Sequence, residues 1–336
     1  MTVTHIAEAV AADAELGEGP TWDPVTRTLL WVDILRSHVH TFTPATGLST
    51  TLETGQHVGA AKPRARGGLV VNLRDGVGLY DTAGQSTWLH HDPVPGRRGN
   101  DAAVAPDGAL WAGTMRYDEA PGGGTLTRIA PDGTVTRVLD DVAVSNGTAW
   151  SPDHRLMYYV DSPTRRIDVF DCTGSTVTRR RPWAEIEPGA GWPDGITVDA
   201  DGAVWVALWD GGAVRRYTPD GRLDRVLDLP VRRPTACAFG GRDLTDLYIT
   251  TARTGLTNPH RSPGRSWSSA RSGKACRNLR SPPDGSFSTM PATCHSPAAP
   301  AHRPKRPDND PHAVQPGLGV PPEGRPGGIP RQAREH

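Results

Sequence analysis

Four oxygen-bearing side chains recur at nearly the same distance before an aromatic residue. The distances are 13, 11, 12 and 11 residues, for Glu18 before Trp31, Asn100 before Trp111, Asn146 before Tyr158 and Asp194 before Trp205. Taken singly, each has a local explanation, because Asn146-Gly147 and Asp194-Gly195 are turn dipeptides and Glu18 lies in a Gly-rich loop. Turns alone do not explain why all four hold equivalent positions. We therefore treat them as one candidate site, the channel ring (Glu18, Asn100, Asn146 and Asp194).

The chemistry of this set is that of a hard cation site. Carboxylate and amide oxygens, without Cys or His, are the ligands that Ca²⁺, Mg²⁺ and Mn²⁺ prefer, with water completing the shell. Zn²⁺ also accepts carboxylates and stays an alternative. The two formal negative charges of Glu18 and Asp194 match one divalent cation, which would offset their mutual repulsion. We expect one such ion as the cofactor.

The elements that must position these residues form a repeat. In each unit a turn signal is followed by a short apolar run that contains an aromatic or β-branched marker residue. The markers are Trp31, Val70, Trp111, Tyr158, Trp205 and Tyr248, and they are separated by 39, 41, 47, 47 and 43 residues. Repeats of this length, made of short strands and Asp-Gly turns, are typical of propeller blades. In one unit, four strands are predicted at Gly195–Val198, Val204–Leu208, Ala213–Tyr217 and Leu223–Leu227. The sequence therefore predicts an all-β, six-bladed propeller over residues 1–256, with the channel ring on one rim of its central channel.

Five blocks of sequence then carry a family resemblance. They are Leu16-Gly-Glu-Gly-Pro with Leu30-Trp-Val-Asp-Ile, Arg98-Gly-Asn-Asp with Ala112-Gly-Thr-Met, Ser145-Asn-Gly-Thr-Ala-Trp, Pro193-Asp-Gly-Ile-Thr-Val-Asp, and Pro234-Thr-Ala-Cys-Ala-Phe-Gly-Gly. In this order, across residues 16–253, they resemble the gluconolactonase/regucalcin (senescence marker protein) family.

The resemblance implies roles for individual residues. It implies a six-bladed propeller with one catalytic divalent metal held by Glu18, Asn146 and Asp194. It also implies that Arg98 and Asn100 bind sugar hydroxyls rather than the ion. An acidic residue soon after the Gly-Thr-Met block is a further substrate contact in the family; Asp118 and Glu119 both qualify, and the spacing favours Asp118.

The expected activity is metal-dependent opening of a sugar (aldono)lactone, with a small-molecule lactone as the partner. A metal in an open position can polarise the lactone carbonyl or activate a water, Asp194 can take the proton, and Arg98 offers a planar fork of donors. The alternative from another class is a non-catalytic divalent-cation (calcium)-binding protein. Such a protein would have no use for sugar-hydroxyl donors beside the ion. A phosphotriesterase-like hydrolase is a third hypothesis, and the polar Arg98 argues against its preference for apolar esters.

Composition bounds the partners and the compartment. Lys and Arg together number 37, as do Asp and Glu, so the chain has no net charge that would suggest nucleic acid. No apolar stretch approaches the roughly 18 residues of a membrane span, and the N-terminus has no basic region typical of a secretory signal. Four dispersed cysteines indicate reduced thiols. We expect a cytoplasmic protein that binds neither nucleic acid nor membrane.

The charge balance hides two different segments. Residues 1–256 hold 25 basic and 32 acidic side chains, whereas residues 257–336 hold 12 and 5, with 15 of the 32 prolines. This tail is too poor in apolar residues to bury a core, so it is predicted to be disordered; binding an acidic partner is the alternative. It also lacks the strand pattern that would finish the sixth blade. Because the chain uses 34 Arg and 3 Lys, as GC-rich coding DNA does, we hypothesise a frameshift near residue 260, which would leave the sixth blade incomplete.

Overall fold

The computed structural model describes residues 6–256 and the backbone of residues 266–269. Within these ranges the regular elements are β-strands, apart from a short 3-10 helix at Ser162–Thr164. No helix in this part of the chain has the length and apolar character needed to cross a membrane. Cys172 and Cys237 are free thiols, and the other two cysteines lie outside the described residues.

Five four-stranded antiparallel sheets are each built from consecutive strands. The first is β2 (Gly17–Asp23), β3 (Thr28–Asp33), β4 (His38–Thr43) and β5 (Leu48–Glu53). The second is β6 (Val58–Pro63), β7 (Leu69–Leu73), β8 (Gly76–Tyr80) and β9 (Ser86–His91). The third is β10 (Arg97–Val104), β11 (Leu110–Arg116), β12 (Gly124–Ile129) and β13 (Val135–Val142). The fourth is β14 (Ser145–Trp150), β15 (Leu156–Asp161), β16 (Arg166–Thr173) and β17 (Thr176–Glu185). The fifth is β18 (Trp192–Val198), β19 (Val204–Trp209), β20 (Ala213–Tyr217) and β21 (Leu223–Asp228).

A further sheet combines the two ends of the described chain. Its order is β1 (Ile6–Val10), β24 (Ser266–Ser269), β23 (Asp246–Thr251) and β22 (Pro234–Gly240). The strand at Ser266–Ser269 differs from the expectation that no strand follows residue 260, because its backbone pairs with both β23 and β1. The remainder of the predicted tail at 257–336 lies outside the described residues.

Each sheet contributes one end strand, its inner strand, to the wall of the channel. These inner strands contact one another in a closed circle, in the order β2, β6, β10, β14, β18, β22 and back to β2. Burial follows the same arrangement, since β2 and β22 are buried along their whole length whereas the outer strands β5 and β21 are largely exposed. The all-β propeller fold predicted from the repeat is confirmed.

The core lies between neighbouring sheets. One apolar cluster joins Tyr158 and Ile167 of the fourth sheet to Val204 and Tyr217 of the fifth, and comparable clusters fill the other spaces between adjacent sheets. The markers Trp31, Trp111 and Trp205 are each 2% exposed. They therefore pack in the core between the sheets and do not line the candidate site.

Candidate active site

Each residue of the channel ring lies at a β-bulge of its inner strand. The pairing of the inner strand with its neighbour shifts register between Glu18 and Thr21, between Gly99 and Ala102, between Ser145 and Thr148 and between Pro193 and Ile196. A bulge locally bends a strand and redirects a side chain. The interpretation of Asn146-Gly147 and Asp194-Gly195 as turns is therefore wrong, because both pairs lie inside strands β14 and β18.

The chain entering two of these strands is held by equivalent aspartates. Both carboxylate oxygens of Asp33, the last residue of β3, accept backbone N–H groups, from Glu15 at 2.9 Å and Leu16 at 3.1 Å. Asp161, the last residue of β15, does the same for Ala143 and Val144. Sequence analysis missed these two roles, although the repeated aromatic-Val-Asp pattern carries the signal.

The four ring residues are all buried. The Asn146 side-chain amide donates to Ser162 Oγ at 2.9 Å. Glu18 Oε2 accepts the N–H of Gly19 at 3.1 Å. Asp194 differs from both, because its Oδ1 is buried and has no hydrogen-bond partner among the described residues. Such an orphaned carboxylate oxygen is costly to bury unless a further group binds it.

The electrostatics of the ring favour a bound cation. Burial, followed by the nearby charge of Asp101, raises the pKa of Glu18 to about 8. Burial and then the charge of Glu18 raise the pKa of Asp194 well above its usual range. Carboxylates that resist ionisation because they are desolvated and close together are stabilised by a divalent cation.

The donor set of Glu18, Asn146 and Asp194 fits a hard divalent ion. Two carboxylates and one amide supply oxygen ligands, and the orphaned Oδ1 of Asp194 provides an unused one. In the described part of the chain, no group of three or more His, Cys, Asp or Glu side chains is placed to hold a metal. Any cation held here by Glu18 and Asp194 would need a ligand of another type, such as the amide oxygen of Asn146.

Arg98 and Asn100 form one connected unit beside the ring. Arg98 is buried and donates from Nη1 to Asn100 Oδ1 at 2.7 Å and to the carbonyl of Gly99 at 3.0 Å. Asn100 donates in turn to the carbonyl of Ser145 at 2.9 Å, which ties β10 to β14. The charges of Glu18 and Asp194 act on Arg98 and partly offset the lowering of its pKa by burial. The structure thus brings the predicted substrate-binding pair close to the predicted metal ligands.

Asp118 lies further out, in contact with a different group. Its carboxylate accepts two hydrogen bonds from Arg116, at 2.7 and 2.5 Å, and is more than half exposed. These bonds lower the pKa of Asp118 to about 2. Glu119, the other candidate, is among the charges that act on Arg98.

A contact between His57 and Tyr117 was not predicted from the sequence. His57 Nδ1 and the hydroxyl of Tyr117 lie 2.8 Å apart, which links the loop before β6 to the end of β11. Burial, followed by the charge of Arg98, lowers the pKa of His57. Burial raises the pKa of Tyr117, and the charge of Arg98 offsets part of that rise. No sequence pattern indicated this pair, because its members are 60 residues apart.

Comparisons with known proteins show the family to which this chain belongs. The family model described as SMP-30/Gluconolactonase/LRE-like region matches residues 16–253. A 6-deoxy-6-sulfogluconolactonase of Pseudomonas putida is 38% identical over 243 residues, covering 71% of this chain and 84% of that protein. Regucalcin of Danio rerio is 36% identical over 249 residues, covering 72% and 84%. The crystal structure of a calcium-binding protein, regucalcin, from Agrobacterium tumefaciens superposes with a TM-score of 0.78 at 29% identity, covering 82% of this chain and 96% of that one. The chain belongs to the SMP-30/gluconolactonase/LRE-like family.

Proposed function

We propose that this protein hydrolyses a sugar lactone at the channel ring and that the reaction depends on one divalent cation. The observation that carries the proposal is the buried Oδ1 of Asp194, which has no hydrogen-bond donor in the described chain and lies in a ring with Glu18 and Asn146. The lactonase names of relatives such as the Pseudomonas putida protein support the substrate class.

Glu18, Asn146 and Asp194 would hold the cation, which is Ca²⁺, Zn²⁺, Mg²⁺ or Mn²⁺. When bound, it would supply Lewis acidity to the lactone carbonyl or to the attacking water. Its charge would also stabilise the ionised forms of Glu18 and Asp194, whose pKa values are raised by burial and then by neighbouring carboxylates.

The side chains of this protein would carry the proton and orient the sugar. Asp194 accepts the proton of the water as its oxygen bonds to the carbonyl carbon. The bond from that carbon to the ring oxygen then breaks, and the proton passes to the departing oxygen, which becomes a hydroxyl. Arg98, fixed by its bond to Asn100, offers its remaining N–H groups to the sugar hydroxyls and to negative charge that develops on oxygen.

Asp118 stays our predicted further contact to substrate. For that role it must exchange its two bonds to Arg116 for bonds to sugar hydroxyls. The pair of His57 and Tyr117, which shares the electrostatic environment of Arg98, would then form the opposite wall of the sugar site.

We also propose that the sheet of β1, β24, β23 and β22 completes a sixth blade. Its support is the contact of the inner strand β22 with both β18 and β2, which closes the circle of inner strands. In this arrangement the sixth blade takes its outer strand from the N-terminus.

The experiment is a panel of five- and six-carbon aldonolactones assayed with and without chelation. We expect hydrolysis of at least one lactone, its loss after exhaustive chelation and dialysis, and its return on adding a divalent ion. Undiminished turnover after chelation would contradict the metal dependence, and no turnover of any lactone in the metal-loaded protein would contradict the activity.

The second candidate function is cation binding without catalysis, as the regucalcin names of other relatives suggest. It predicts a bound divalent ion and no turnover in the same panel. The buried pair of Arg98 and Asn100 argues for the lactonase, because an ion-binding protein has no need for a hydroxyl-binding fork beside its ion.

A further inference from the structure

Lys62 lies in the channel among the strands that carry the ring. It belongs to β6, whose neighbours in the circle are β2, with Glu18, and β10, with Asn100 and Asp101. Its Nζ donates to the hydroxyl of Thr21, on β2, at 2.7 Å. Lys62, Thr21 and Asp101 line one cavity of about 160 Å³. This cavity continues the channel below the ring, because Thr21 and Asp101 follow Glu18 and Asn100 along their strands.

Close packing of the inner strands places this lysine near the ring. A Cβ added at Gly59 on β6 would collide with the backbone carbonyl oxygen of Asn100. A Cβ added at Gly19 on β2 would lie 3.6 Å from Ala60 Cα. Lys62 therefore extends from a strand packed tightly against both the Glu18 strand and the Asn100–Asp101 strand.

The channel gathers more negative than positive charge. Glu18, Asp101 and Asp194 are three carboxylates that act on one another, and the effect of Asp101 reaches both of the others. Two cations face them, Arg98 beside the ring and Lys62 below it. Burial lowers the pKa of Lys62, and the charges of Asp101 and Glu18 oppose this effect by favouring its charged form. When all three carboxylates are ionised, as they would be around a bound cation, the cluster carries one net negative charge.

We propose that Lys62 is a built-in counter-cation of the channel carboxylates and that it sets the affinity of the ring for its divalent ion. The proposal rests on the divalent-cation site of the proposed function. The ammonium group stabilises the three carboxylates before an ion binds, and then repels the ion once it is bound. Such interactions are strong in a channel shielded from water. Lys62 is thus a positioning residue. It holds the carboxylates in place before the divalent ion binds, and it lowers the affinity for that ion.

The experiment compares Ca²⁺ and Mn²⁺ binding, by calorimetry, to the full chain and three variants. Lys62→Met removes the charge, Lys62→Gln removes it but keeps a donor for Thr21, and Lys62→Arg keeps the charge as the matched control. We expect both neutral variants to bind the ion at least about tenfold more tightly, which is about 1.4 kcal/mol. Lys62→Arg is expected to stay within about threefold of the unmodified protein.

A second readout separates this role from a merely structural one. In chelator, the melting temperature of the neutral variants should be lower than that of the unmodified protein, because the three channel carboxylates have lost a counter-charge. At saturating ion the difference should shrink or reverse. A structural role would lower the melting temperature equally in both conditions.

Failure of this proposal is distinguishable from failure of the proposed function. If the unmodified protein binds the ion but the neutral variants bind it with equal or lower affinity, the role of Lys62 is overturned while the metal site stands. If the unmodified protein binds neither ion, the metal site and the role of Lys62 are both overturned.

Discussion

At the scale of single residues, three buried aspartates differ in whether the fold supplies hydrogen-bond donors to their carboxylate oxygens. Asp33 and Asp161 have their carboxylate oxygens filled by backbone N–H groups. Asp194 is equally buried, yet its Oδ1 receives no hydrogen bond in the described chain. The first two aspartates therefore hold the backbone, and Asp194 is available for a ligand.

Asp194 should accordingly be the most sensitive position of the site. Because the proposed function makes Asp194 both a ligand and the proton acceptor, Asp194→Ala should lower kcat/KM for a lactone by at least about 10³-fold. Arg98→Ala removes donors to the substrate and the bond that orients Asn100, but no proposed metal ligand, and should cost about 10²-fold. Steady-state kinetics at saturating divalent ion measure both values.

Metal content provides the control for this comparison. Arg98→Ala should retain the ion found in the unmodified protein, whereas a Glu18→Ala/Asp194→Ala double variant should lose it. Equal metal content in the unmodified protein and the double variant would contradict the assignment of Glu18 and Asp194 as metal ligands.

His40 gives a prediction on stability that is independent of the site. Its ring stacks on Trp31, with centroids 4.1 Å apart, and burial, followed by the charge of His38, lowers its pKa to about 4. Between pH 6.5 and 4 the unfolded chain binds a proton that the folded chain does not, so this histidine reduces stability as the pH falls through that window. In His40→Phe, which keeps the aromatic stack, the melting temperature should fall less between pH 7 and pH 4.5. Parallel curves for the two proteins would show that His40 titrates normally.

The ring residues could be found from the sequence because equivalent blade positions leave a regular offset before the aromatic markers. Lys62 and Asp101 could not, because their proximity depends on how one blade packs against the next. The same holds for His57 and Tyr117. Asp118 illustrates a different limit, since spacing alone does not reveal that Arg116, two residues earlier, binds its carboxylate.

At the scale of elements, the inner strands approach closely because they carry glycine where they meet. Gly59, Gly147 and Gly195 each face the backbone or the Cβ of the next inner strand. Sequence analysis predicted the strands from their turns, and the strand bounds of the fifth sheet agree closely. The sequence left open the alternative that Asn146-Gly147 and Asp194-Gly195 are turns, because such dipeptides occur both in tight turns and at bulges inside strands; the structure excludes it.

Gly59→Ala tests whether this close approach positions the site. The added methyl group collides with the carbonyl oxygen of Asn100, a backbone atom that cannot move without displacing β10. We expect a loss of stability of about 1–3 kcal/mol, typical of overpacking, together with reduced kcat/KM, because Arg98 and Asn100 share that strand. Thermal melts and lactone kinetics are the measurements.

Gly78→Ala is the matched control. Gly78 also lies in a strand, β8, but the nearest neighbour of its added methyl group would be the flexible Cδ1 of Leu73, at 3.2 Å. A ring carbon of Tyr80 and the carbonyl oxygen of Thr87 lie at ordinary contact distances of 3.5 and 3.8 Å. Its kinetics should be unchanged. If both variants lost activity to the same extent, close packing at Gly59 would have no special connection with the site.

At the scale of the whole molecule, both ends of the described chain join one sheet. Ile6 packs against the apolar cluster that contains Trp205 and Phe239, and the backbone of β24 pairs with β1 on one side and β23 on the other. Sequence analysis did not predict β1, because pairing between strands some 260 residues apart leaves no local signal. It did not predict β24 because Ser266–Ser269 lacks the apolar alternation of a half-buried strand.

Truncation tests whether this sheet depends on residues after 256. A chain ending at residue 256 lacks β24, so β1 loses its partner and β23 becomes an open edge. We expect its melting temperature to fall by several degrees, and the amides of β1 and β23 to exchange faster with deuterium than those of β2 and β3. A chain ending at residue 270 keeps the strand and should match the full-length protein in both measurements. If the shorter chain is as stable and as well protected as the longer one, β24 adds nothing to the sheet. The residues after 260 would then be dispensable, as the frameshift hypothesis requires, and the neighbouring reading frame of the gene should encode an alternating apolar strand pair in their place.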